Sequence, residues 1–136
     1  MAYLRSEQRR NLSGSPTGVG IKVTSTSSAV TVHTHNEKTD PSYPGVKSMF
    51  DELHLWALNS HSSSVTVTLR WGGDTDPDNL LPVAIQAGAF LKIVNGMHIA
   101  GDLTVSAVAS DANKIVLYGY ALSHISEMVE DPTESG

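Results

Sequence analysis

The residues best able to do chemistry fall in three places. "WGGDTDPDN" (71–79) carries Asp74, Asp76 and Asp78 at spacing two, the arrangement that opens a calcium loop. "AVTVHTH" (29–35) carries His33 and His35, and two residues apart in a strand both imidazoles leave one face, as a metal pair requires. "GSPTGVG" (14–20) is glycine-rich, as phosphate-cradling loops are.

Each pattern stops short of its chemistry. An EF-hand loop needs glycine at position six and glutamate at position twelve, which from Asp74 are Asn79 and Ile85. The aspartates therefore read as a solvated connector between two strands, with Asp and Asn bonding nearby backbone and Pro77 fixing φ. The histidine pair lacks a third ligand that the sequence can name among His54, His61, His98 and His124. "GSPTGVG" has no P-loop lysine and is followed by a strand pattern instead of a helix. No G-x-S-x-G elbow marks a nucleophilic serine, and the acidic residues gather in loops and at the C-terminal end. The expectation is a protein with no catalytic residues, no cofactor and no metal.

Composition points the same way. The chain has 136 residues, enough for one two-layer core, with 17% charged and 6% aromatic residues and no cysteine. Disulfide and thiolate chemistry are excluded. A net charge of −5 argues against nucleic acid as a partner. No apolar run reaches membrane-spanning length, and "MAYLRSEQRR" is followed by no apolar stretch, so neither a membrane partner nor a secretory signal is expected. The charge is uneven. Residues 1–10 carry Arg5, Arg9 and Arg10 against Glu7, whereas residues 125–136 carry Glu127, Glu130, Asp131 and Glu134 with no base.

The elements that would position any site are strands. Residues 1–18 are polar and rich in Ser, Gly and Pro, which predicts a flexible N-terminal arm. From residue 19, period-two alternation takes over in "GIKVT", "AVTVHT", "SVTVTLRWGG" and "DLTVSAVA". "SVTVTLRWGG" places Val65, Val67, Leu69 and Trp71 on one side and Thr66, Thr68 and Arg70 on the other. Residues 35–48 read as a long surface loop, and 95–101 as a turn-rich connector. "NSHSSS" and "QAG" suggest hairpins joining 49–59 to 64–73 and 80–85 to 89–94, and Pro82 puts its strand at an edge. About eight short strands without an amphipathic helix predict an all-β chain: an antiparallel β-sandwich, jelly-roll-like, over 19–124, with an acidic tail over 125–136.

Two runs, 53–58 and 115–122, are apolar on both parities. Trp56, Leu58, Val116, Tyr118, Tyr120 and Leu122 have no evident place inside a sandwich, so Trp56, Leu58, Tyr118 and Tyr120 are the expected contacts between subunits.

"DELHLWALNSHSSSVTVTLRWGG" followed by "QAGAFLKIVNGMHIAGDLTVSAVASDANKIVLYGYAL" resembles the small structural proteins encoded beside the capsid genes of tailed bacteriophages. The likeness spans roughly residues 50–122 and consists of turns and strands, with no chemical motif. It implies a virion component, made in the host cytoplasm and carried on the outer capsid surface. Such a capsid decoration (cement) protein is a homotrimer that binds the major capsid protein and stabilises the head. Arg5, Arg9 and Arg10 would then meet acidic groups of the shell. The alternative is a carbohydrate-binding jelly-roll module of a viral head fibre or tail, for which Trp56, Trp71 and Tyr43 are the candidate rings.

Overall fold

The period-two pattern becomes nine strands in the computed structural model, which describes residues 2–37 and 46–129. They are β1 (Ala2–Asn11), β2 (Ile21–Lys22), β3 (Val30–Thr34), β4 (Val46–Asn59), β5 (Val65–Trp71), β6 (Leu80–Ile85), β7 (Phe90–Ile99), β8 (Thr104–Ala109) and β9 (Ile115–Val129). No helix occurs among the described residues. One sheet runs β1-β9-β4-β7, with β2 also on β9; the other runs β3-β8-β5-β6. Every pairing is antiparallel.

The pairings nest. β2 pairs with β9, β3 with β8, β4 with β7 and β5 with β6, as if one long hairpin were rolled into two sheets. That is the jelly roll. Between the sheets lie Val32, Leu53, Leu55, Ala57, Val65, Val67, Leu69, Ile85, Val105, Ala107, Ile115 and Leu117, all fully buried. Each of the larger ones contributes about 1.5–3 kcal/mol in transfer terms, before ordering entropy is set against it.

Nesting overturns both expected hairpins. β4 belongs to the first sheet and β5 to the second, so "NSHSSS" is a corner between sheets; "QAG" between β6 and β7 is another. Polar turn residues reverse the chain equally well into its own sheet or across the gap. Asn59 fastens the two corners together. It is fully buried, and its amide nitrogen donates to the carbonyls of Ser63 at 3.0 Å and Ile85 at 2.9 Å. Among the described residues β5 and β6 form the one hairpin between consecutive strands, and residues 72–79 with the three aspartates are its loop. Pro82 does lie on an edge strand, β6. The segment 95–101 is no connector: Asn95–Ile99 continue β7, bent where Gly96 adopts a positive φ of 80°.

The N-terminal arm is also corrected. Residues 2–11 pair with β9 in unbroken register, from Ala2 opposite Val129 to Asn11 opposite Tyr120. Pairing gives this polar segment the backbone partners that its composition could not reveal. Residues 12–15 then cross to the second sheet: Leu12 is buried, Gly14 N–H donates to Val32 O at 3.0 Å, and Ser13 Oγ accepts from Thr34 N–H at 2.7 Å. A Cβ on Gly14 would stand 2.2 Å from the Thr31 carbonyl oxygen, so this crossing requires glycine. The sandwich therefore spans 2–129 rather than 19–124, and residues 125–129 of the expected tail end β9. Glu130, Asp131 and Glu134, and residues 38–45 of the expected loop, lie outside the described residues.

Candidate functional site

Alternation along β4 builds two sites from adjacent residues. Asp51, Leu53, Leu55 and Ala57 point inward, whereas Glu52, His54, Trp56 and Leu58 point out.

Inside, Asp51 is 3% exposed and is surrounded by donors. His33 Nε2 lies 2.6 Å from Oδ2, while the hydroxyls of Ser123 (2.7 Å) and Ser48 (3.0 Å) donate to Oδ1. The backbone N–H of Ser13 donates to His33 Nδ1 at 3.0 Å, which leaves the ring proton on Nε2, facing the carboxylate. Burial pushes the Asp51 pKa up, but the bonds from His33, Ser123 and Ser48 together outweigh it and hold the carboxyl below its usual range. His35 is tied in the same way: Nδ1 accepts from Asp102 N–H at 3.0 Å, and Nε2 donates to Ser48 O at 3.1 Å.

This network contains Ser, Asp and His, yet it is not a catalytic triad. A triad places histidine between the other two, with one nitrogen free to take the serine proton. Here aspartate is central and both imidazole nitrogens are engaged. A pocket of about 530 Å³ opens over the network between β1 and β3, lined in part by Arg10, Leu12 and Ser13, and its His33, Asp51 and Ser123 are bonded to one another. No group of three or more His, Asp or Glu among the described residues is placed to hold a metal ion. Asp74, Asp76 and Asp78 are exposed, and the turn they occupy is held by Asn79, which bonds Trp71 through both backbone and side chain.

Outside, β9, β4, β7 and β1 present one continuous face. At one end, Glu52 lies 2.9 Å from His54 Nε2, 3.3 Å from His124 Nε2 and 4.0 Å from His98 Nε2. The bond from His54, ahead of that from His124, holds the Glu52 carboxyl below its ordinary range against a smaller opposing push from burial. Phe50 is stacked between the rings of His98 and His124, each centroid 4.2 Å away. Glu7 of β1 sits 3.7 Å from His124. The other end is aromatic. Tyr118 is 37% exposed and meets the edge of Phe90, itself 57% exposed, at 5.8 Å. Trp56 lies 6.1 Å from Tyr120 and carries Lys92 over its ring. Gly20 makes room at this end, because a Cβ there would meet Val116 and the Tyr118 ring at 2.5–2.9 Å.

The four residues expected at a subunit interface, Trp56, Leu58, Tyr118 and Tyr120, are thus brought together on this face. The three arginines are not on a free arm. Arg5 is paired opposite Ser126 within β1; the Arg9 guanidinium lies 3.7 Å above the Tyr120 ring; Arg10 bonds Gln8 at 2.7 Å and its Nε is buried with no partner. The rings considered for sugar binding are occupied as well. Trp71 donates its indole N–H to His98 O at 2.9 Å and packs on the core, Trp56 is capped by Lys92, and Tyr43 lies outside the described residues.

No protein-family model matches the chain, and no curated protein matches it. Solved structures with some likeness include a subunit of Bacillus endospore appendages, described as disulfide-linked pili, at 11% identity and a TM-score of 0.45, covering 96% of this chain and 93% of that one. Two structures of the tobacco streak virus coat protein are also similar. One, a dimer, has 16% identity and a TM-score of 0.42 over 96% of this chain and 92% of that one; the other has 12% and 0.39 over 96% and 93%. At these scores they carry no conclusion about what this chain does.

The sequence reading missed Glu52, His98 and His124 as neighbours, and Asp51, Ser48 and Ser123 as a unit. A signal for the second group was present. Asp51 shares the core parity of Leu53, Leu55 and Ala57, and Ser123 that of Leu117, Ala121 and Ile125, so both were polar residues at buried positions that needed partners.

Proposed function

We propose that the chain is a non-enzymatic virion structural protein, a capsid decoration protein of the tailed-phage type that assembles as a homotrimer on the outer head shell and stabilises it. The carrying observation is the outer face of β4 and β9, where Trp56, Leu58, Tyr118 and Tyr120 sit on the solvent side of the sheet with Tyr118 and Phe90 well exposed. Both strands fall largely within residues 50–122, where the sequence resembles phage structural proteins.

The two ends of this face favour a cyclic contact. One end carries Glu7 and Glu52; the other carries Lys92 among the aromatics. Packing the aromatic end of one protomer on the histidine–carboxylate end of the next brings Lys92 to carboxylates. Such a head-to-tail interface makes a ring of three when successive protomers are related by a 120° rotation, and an open filament otherwise. A ring that binds only the assembled shell stabilises assembly by mass action. Arg5, Arg9 and Arg10 would meet shell carboxylates from the β1 edge, through charge-assisted bonds.

Analytical ultracentrifugation tests the ring. The wild type should sediment as three copies or a multiple of three at micromolar concentration, and Tyr118→Lys should lose those species with its melting temperature unchanged. Cosedimentation with heads of the encoding phage tests the shell contact, and Arg9→Glu with Arg10→Glu should lower occupancy. A wild type that stays single-copy at every concentration removes the reading.

A further inference from the structure

Two open sheets have four edges, and three of them here are spoiled for pairing. β6 carries Pro82 and is six residues long. β7 is bulged twice against β4 and kinked at Gly96. β3 is five residues long, bulged between Thr31 and His33, and its open side is bonded by Ser13 and Gly14. The fourth is different. β1 runs ten residues with no proline, no glycine and no register shift, and among the described residues its only strand neighbour is β9. Ser6, Glu7, Gln8 and Arg9 are exposed in succession. The edge devices of β1 are charges alone, Arg5, Glu7, Arg9 and Arg10, which repel a strand of like charge order and admit one whose charges are complementary.

We infer that the open edge of β1 pairs with β1 of a second copy, antiparallel about a two-fold axis at Ser6. Charge order and length of overlap together select that register: centred on Gln8 the charges also match, Glu7 against Arg9, but only residues 5–11 of β1 would overlap instead of 2–10. Centred on Ser6, Glu7 falls opposite Arg5 of the second copy and Arg5 opposite its Glu7, while Leu4 falls opposite Gln8 and Tyr3 opposite Arg9. Centred one residue later, Glu7 would face Glu7 and Arg5 would face Arg9, and like charges directly opposite destabilise a pair of strands. The matched register also keeps Glu7 and Arg9 on one side of the extended sheet, as the pleat demands. Such a contact is isologous. It lies at the sheet edge rather than on Trp56 and Tyr118, and because it occupies the arginines that would otherwise meet the shell, it joins rings that are off the head.

Native mass spectrometry over a concentration series separates the two contacts. Wild type should show even-numbered species, a dimer or a pair of trimers. Glu7→Arg should raise the dissociation constant of that even contact by about tenfold, because it sets Arg against Arg twice. The double variant Arg5→Glu, Glu7→Arg restores opposite charges and should return the constant to the wild-type range, although the Glu7–His124 contact is still missing. Tyr118→Lys should lose the threefold species and keep the twofold one. The inference fails if the wild type shows no even species, if Glu7→Arg leaves the constant unchanged, or if the double variant stays as weak as the single. Absence of the threefold species alone sinks the decoration-ring reading and leaves the β1 contact standing.

Discussion

Asp51 and Glu52 are neighbours in sequence and each meets histidine, yet they do opposite work. The pleat of β4 sends Asp51 into the sandwich, where its partners His33, Ser48 and Ser123 are buried with it. Glu52 goes to the outer face, where its side chain is 24% exposed and its partners His98 and His124 are 58% and 21% exposed. The same pair of groups is a lock in one place and a surface cluster in the other. Water decides which. A buried carboxylate has no alternative to its protein donors, whereas an exposed one exchanges them for solvent at little cost.

The sharpest way to break this comparison is Asp51→Asn. The amide oxygen can still accept from His33 Nε2–H, so the amide nitrogen faces Ser48 and Ser123, whose hydroxyls must turn from donating to accepting. All three bonds lose the charge assistance of the carboxylate. A loss of about 2–3 kcal/mol in unfolding free energy is expected, measured by urea denaturation near neutral pH. An unchanged midpoint would mean that the network holds nothing.

Acid sharpens the same contrast. Both carboxyls titrate below their ordinary values when folded, so each adds stability that is complete above the unfolded pKa and is lost as pH falls through the folded one. The wild type should therefore lose stability below about pH 4, and Asp51→Asn should have a shallower slope there. The gap between the two proteins should close as the pH falls. A gap that is constant with pH would show that the ionised form of Asp51 is not what the network stabilises.

How much of this was legible follows from the period-two rule. Alternation alone placed Val65, Val67 and Leu69 inside and Trp56 and Tyr118 outside, because parity is a local property of a strand. Pairing is not local. The sequence of "NSHSSS" suits a turn within one sheet as well as the corner it makes between sheets, and nothing near residues 2–11 announces that β9 will be long enough to receive them. Two-sided apolarity in 53–58 did identify the outer face, since the inner parity was already filled. The histidine cluster escaped because it draws on β4, β7 and β9, whose order in the sheet is set by the nesting.

The smallest expected effect is Glu52→Gln. An amide of the same shape keeps the stacking of Phe50 with His98 and His124, and its oxygen still accepts from His54, so only the charge is removed. With His54 12% and Glu52 24% exposed, this part-buried pair contributes about 1 kcal/mol or less. The unfolding free energy of Glu52→Gln should stay within that margin of wild type, and the difference should vanish in high salt, where exposed charges are screened. A loss comparable to that of Asp51→Asn would place the outer cluster in the same class as the buried one. Exposure would then no longer be the variable that separates them, and the histidines around Glu52 would belong to the stability of the fold rather than to a surface held open for another chain.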